Sequence, residues 1–141
     1  MSFNHQFHWL NIMSVGVVEF DNDHKKFIEI LTELEIVLGA KRMERAKELG
    51  DALMALCHDH CAREKAFLER ICYPNAEEIL AAQQDSLARV QELIDQMSSP
   101  SDKAVLLARE MQKALIEYLL KGDINFKSYV EAFGYSDTNR S

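Results

Sequence analysis

The chain has 141 residues, 48% hydrophobic and 28% charged, a balance that suits one soluble domain with a single apolar core. Its formal net charge of -7 opposes phosphate backbones and anionic lipid, which recruit clusters of Lys and Arg, so neither nucleic acid nor a membrane is an expected partner. Met1 to Leu10 hold no apolar run of the kind a signal peptide needs, and no stretch approaches the roughly 18 apolar residues of a membrane span; the expectation is a cytoplasmic protein.

Residues 1 to about 19 carry Phe3, Phe7, Trp9 and Met13 without clear periodicity, followed by Val15-Gly16-Val17-Val18. They read as an arm laid across the rest, with Trp9 as a plug over the core. A helical pattern begins at Phe20-Asp21, with Asp21 as expected N-cap. Phe20, His24, Phe27, Ile28, Leu31, Leu34 and Leu38 form its stripe, and Gly39 ends it. A second helix runs from about Lys41 to Ile71. Residues three and four apart share a helix face, which places Leu49, Leu53, Leu56, His60, Glu64, Phe67 and Ile71 together. His60 and Glu64 therefore sit in an apolar stripe, where a polar group without a hydrogen bond costs roughly 1 to 3 kcal/mol. His58 lies about 200° around the helix from His60 and reads as surface.

Cys72-Tyr73-Pro74-Asn75 makes the next turn, with Asn75 and Glu78 spaced as a capping pair. A third helix carries Ile79, Gln83, Leu87, Val90, Ile94 and Met97 on one face. After a connection at Ser98 to Asp102, a fourth carries Ala104, Leu107, Met111, Leu115, Tyr118 and Gly122. Asp123 to Phe133 reads as a last short helix before a polar tail. The expected fold is all-α, an up-down-up-down antiparallel four-helix bundle, forming a single domain with an N-terminal arm (1–19), a bundle (about 20–122) and a C-terminal segment (123–141). Counted from the turns at ~1.5 Å per residue, His24 lies level with His60, Glu64 with Gln83, and Gln83 with Tyr118.

These residues resemble the bacterial hemerythrins, four-helix bundles with a non-haem di-iron site. Trp9, Val15-Gly16-Val17 and Phe20-Asp21-Asn22-Asp23-His24-Lys25 look like the family's opening Trp, Val-Gly and Asp-x-x-His-Lys pattern. His60-Cys61-Ala62-Arg63-Glu64 matches His-x-x-x-Glu, with Cys61 where Phe is usual, and Tyr73-Pro74 resembles the turn that follows. The third motif, His-x-x-x-His, falls on Ile79 and Gln83. The fourth places Gly122 and Lys127 at ligand positions, and no histidine follows His60. Of the family's iron ligands the resemblance thus leaves only His24, His60 and Glu64.

Two readings follow. In the first, His24, His60 and Glu64 pair within the bundle, with Gln83 and Tyr118 completing the hydrogen bonds. The chain is then a non-catalytic hemerythrin-like module, without a di-iron centre, that binds a protein partner or a second copy of itself. In the second, the two imidazoles and the carboxylate hold one iron or zinc ion, with Asp123 and Cys57 as further donors, in a sensor of oxygen, nitric oxide or metal. No nucleophile-base pair, phosphate loop or nucleotide fingerprint points to an enzyme. The cysteines are three in number, with Cys57 and Cys61 one helical turn apart, which argues against a disulfide framework. Phe126, Tyr129, Phe133 and Tyr135 are expected either to pack back on the bundle or to meet a partner.

Overall fold

A computed structural model of the protein describes residues 17–97, 103–118 and 124–133. Five helices follow in order: α1 (Val18–Gly39), α2 (Met43–Arg70), α3 (Ala76–Met97), α4 (Ala104–Tyr118) and the short α5 (Ile124–Phe133). The four long helices pack in a ring, α1 on α2, α2 on α3, α3 on α4 and α4 on α1. The fold is an all-α four-helix bundle. None of the described helices is long and apolar enough to cross a membrane. The arm from residue 1 to 16, with Trp9, lies outside the described residues, as do the connection at Pro100, Gly122, Asp123 and the tail from Tyr135.

The helix starts and stops have causes that differ from the expected ones. Helix α1 begins at Val18, inside the segment read as arm, and Asp21 is not its N-cap. The cap position is Val17, in extended backbone and with no side-chain cap bond; the Asp21 amide donates to the Val17 carbonyl (2.9 Å). Val17 is fully buried against Phe20, Phe67, Leu68 and Ile71, so apolar contact fixes the chain's path into the helix. Glu19 and Asp21 lie in the first turn, where acidic charge favours the helix dipole.

Helix α1 does end at Gly39, but Gly39 does not close it. The Arg42 amide reaches back to the Val37 carbonyl and the Lys41 amide to Leu38, the paired bonds of a Schellman motif. Lys41 takes the left-handed position, at φ 58°. The same bonds recur after α2, from Tyr73 to Leu68 and from Cys72 to Glu69, with Cys72 at φ 55°. Both turns therefore place a residue with a Cβ where glycine is favoured.

Among the described residues, two apolar clusters make the core. One, around Phe27, Leu31, Leu34, Leu49, Leu53, Leu93 and Met111, fills the bundle towards the Lys41 turn. The other, Val17, Phe20, Phe67, Leu68, Ile71, Tyr73 and Ile79, fills the end at the Cys72 turn. Each such side chain contributes about 1.5 to 3 kcal/mol on burial. Gly50 lets α2 approach α3 closely, since a Cβ there would stand 3.3 Å from Ile94 Cγ2. Helix α5 returns to the second cluster: the Tyr129 ring meets Tyr73 edge-on at 4.9 Å and its hydroxyl donates to the Ile71 carbonyl (3.4 Å).

Relief of the left-handed strain is measurable. Lys41→Gly should raise stability by up to about 1 kcal/mol, because glycine occupies that conformation without a Cβ clash. Urea unfolding that gives a lower midpoint for the variant would contradict this account of the turn.

Candidate functional site

Between the two apolar clusters lies a layer of buried polar side chains. His24, His60, Glu64 and Gln83 are each 2% exposed or less, at the stripe positions that periodicity assigns to them. His58 is exposed. The His24 and His60 rings stand 4.9 Å apart, centroid to centroid, tilted by 58°. Phe20 and Phe27 present edge contacts to His60, at 5.5 Å and 5.6 Å. The imidazole is thus fixed by apolar walls, leaving its two nitrogens as its polar outlets.

Both outlets face carboxylates. His60 Nδ1 is 3.0 Å from Asp23 Oδ2 across the α1–α2 contact, and Nε2 is 2.8 Å from Glu64 Oε2 one turn along α2. Arg63 Nη2 donates to the other oxygen of Asp23 (2.7 Å), and its Nε lies 3.0 Å from Glu19 Oε1. A chain of charge-assisted contacts therefore runs from Glu19 at the surface, through Arg63 and Asp23, to His60 and Glu64 in the core. Such contacts are stronger than neutral ones and reinforce each other where water is excluded.

Burial alone would push the Asp23 carboxyl upward, yet hydrogen bonds from His60 and Arg63 outweigh it and hold it below the usual carboxylate range. Arg63 is held more firmly protonated in return, first by its bond to Asp23. His24 is pushed down to about 3 by burial and then by the neighbouring His60, against the opposing pull of Glu64, Asp21 and Asp23. It is a neutral imidazole at physiological pH.

Asp23 and Arg63 carry the layer's links between α1 and α2, and the sequence reading assigned them no role. A signal for Asp23 existed: it falls three residues after Phe20 and four before Phe27, inside the buried stripe. Gln112 was missed as well. It is buried on α4 and bonds Glu35 Oε1 (3.0 Å) and the Leu31 carbonyl (3.4 Å).

Among the remaining candidates, Cys57 lines a cavity beside His60, and its thiol is pushed up to about 12 by burial and then by Cys61. Asp123 and the side chain of Tyr118 lie outside the described residues. Ile79 is packed in the second apolar cluster. As the side chains stand, no group of three or more His, Cys, Asp or Glu among the described residues is arranged to hold a metal ion.

Removing one member of the array leaves its neighbour buried without that partner. His60→Ala and Glu64→Ala should each cost about 1 to 3 kcal/mol, read as lower thermal midpoints; unaltered midpoints for both would contradict the coupling described. Acid should act in the same direction. Below the ordinary histidine value of 6.5 the unfolded chain binds a proton at His24 that the folded chain refuses until about 3, so stability falls as pH drops through that window. The lowered Asp23 carboxyl adds a further loss below its ordinary 3.8. Urea midpoints against pH should therefore fall less between about 6.5 and 4 in His24→Gln than in the parent chain, and parallel profiles would remove His24 as the cause.

No protein-family model, curated protein or solved structure matches the chain, so a functional reading rests on the buried array and the sequence motifs that supply it.

Proposed function

We propose that the chain is a hemerythrin-like bundle without di-iron oxygen chemistry, acting as a non-catalytic protein-interaction or regulatory module. The observation that supports this reading is the closure of the array upon itself: both nitrogens of His60 face carboxylates, and Arg63 holds the outer one. With Asp23 and Glu64 each within 3.0 Å of one of its ring nitrogens, His60 is held in place by side chains of the chain itself. The third motif's ligand positions carry Ile79, which is packed in apolar core, and Gln83. On this reading the bundle is a scaffold, and its partners meet helix faces. Ile36 of α1 and Leu106 of α4, 66% and 55% exposed on neighbouring helices, offer apolar surface there.

One observation favours a second reading, a mononuclear iron or zinc sensor. A ligating imidazole usually donates its other ring nitrogen to a carboxylate, which sets its orientation. Asp23, pinned by Arg63, stands in that place behind His60, with Glu64 and the neutral His24 on the inner side. In that case His24, His60 and Glu64 would hold the ion, and it would supply open coordination positions for a small ligand.

Metal analysis of protein purified without a chelating tag, followed by aerobic reconstitution with iron, separates the readings. The scaffold reading predicts far less than one iron or zinc per chain and no near-ultraviolet or visible bands of an oxo-bridged di-iron centre. One equivalent that is lost in His60→Ala would establish the sensor reading instead, and two irons with those bands would overturn both.

A further inference from the structure

The cavity that His60 and Gln83 help to line also holds sulfur side chains that the buried array does not use. Its volume is about 50 Å³, too small for a ring such as benzene, which occupies a cavity of roughly 150 Å³, but sufficient for an ion. Cys57 and Cys61 of α2 and Met111 of α4 all line it, together with apolar side chains such as Leu53, Val90 and Leu115. No described carboxylate does. Thiolate and thioether donors without carboxylate oxygen select soft cations, Cu(I) above all, and disfavour Mg²⁺, Ca²⁺ and Mn²⁺.

The spacing of the two cysteines also favours an ion over a disulfide. Residues one turn apart on a helix hold their Cβ atoms about 5 to 6 Å apart, whereas a disulfide requires about 3.5 to 4.5 Å. Two sulfurs bound to one ion at a metal–sulfur length near 2.3 Å can stand up to about 4.6 Å apart, a span the intact helix can supply. Met111, fully buried on α4, lines the same cavity. Both cysteines are half-buried, so the cavity is reachable and the charge of a bound complex keeps part of its hydration. Cys72 is exposed, at the turn after α2, and does not line the cavity.

We propose that this cavity is a Cu(I) site in which the Cys57 and Cys61 thiolates and the Met111 thioether hold one ion. Both thiols release their protons to solvent as the ion enters, and copper stays Cu(I) throughout. His60 also lines the cavity, but its ring nitrogens stand against Asp23 and Glu64, so the donors of this site are the three sulfurs.

The test titrates the reduced full-length chain with Cu(I) under anaerobic conditions against a chromogenic Cu(I) chelator, with maleimide labelling of the thiols as a second readout. One Cu(I) per chain is expected, with sulfur-to-copper absorption in the ultraviolet. Labelling should be blocked at Cys57 and Cys61 but not at Cys72. Cys57→Ser and Cys61→Ser should each weaken binding by about 100-fold or more, since even outer-shell losses at metal sites cost about 10- to 100-fold. Met111→Leu, which keeps the side-chain volume, should weaken it measurably, and Cys72→Ser should leave it unchanged. Failure of the chain to compete with the chelator, equal labelling of all three cysteines with and without Cu(I), or unaltered affinity in either cysteine variant would overturn the site. Unaltered affinity in Met111→Leu would overturn the three-sulfur assignment.

Discussion

The contact of Asp23 on α1 with His60 on α2 is the constraint on which the middle of the bundle depends. An imidazole buried among Phe20, Phe27 and the ring of His24 is tolerable only if its nitrogens find partners. Asp23 provides one, and Glu64 faces the other. Asp23 in turn would be an expensive buried carboxylate without Arg63, whose guanidinium reaches inward from the rim and so keeps part of its hydration. The order of the chain from Glu19 to Glu64 therefore makes electrostatic sense: exposed charges at one end screen and anchor the buried ones at the other. Because Asp23 and His60 come from different helices, the contact also sets how α1 lies along α2.

That layer divides the core. Apolar packing at the Lys41 end and at the Cys72 end meets it from either side. Apolar packing alone tolerates many arrangements of similar volume; a polar layer whose members must meet within hydrogen-bond distance admits fewer. The layer so described accounts for His60 and Glu64 in a stripe otherwise made of Leu, Phe and Ile. It equally accounts for a neutral His24, since the burial that excludes water there also disfavours a proton.

Much of this was legible in the residue pattern, and the exceptions have physical reasons. Helical periodicity places His24, His60, Glu64 and Gln83 inside the bundle because side-chain spacing on a helix is nearly fixed. The same rule, applied to Asp23, would have found the link between α1 and α2; an aspartate near a helix start reads more readily as a dipole or capping residue. The N-cap at Val17 was hidden because it arises from tertiary burial, not from side-chain capping chemistry. Lys41 and Cys72 were hidden because their left-handed backbone is imposed by the turns, while the glycine that drew attention, Gly39, completes α1 one residue before its cap. Gln112 escaped for a related reason: its partners, Glu35 and the Leu31 carbonyl, lie on another helix.

Nitrogen-15 NMR of the histidine rings, recorded on chelator-treated protein before and after addition of zinc, tests most directly whether the buried layer is closed by its own side chains. The account predicts that His24 remains a neutral imidazole from pH 8 down to about 5, that Asp23→Asn shifts the His60 Nδ1 resonance, and that zinc leaves both rings unchanged. Titration of His24 in the ordinary histidine range, or zinc-induced shifts at the His24 and His60 nitrogens, would contradict it.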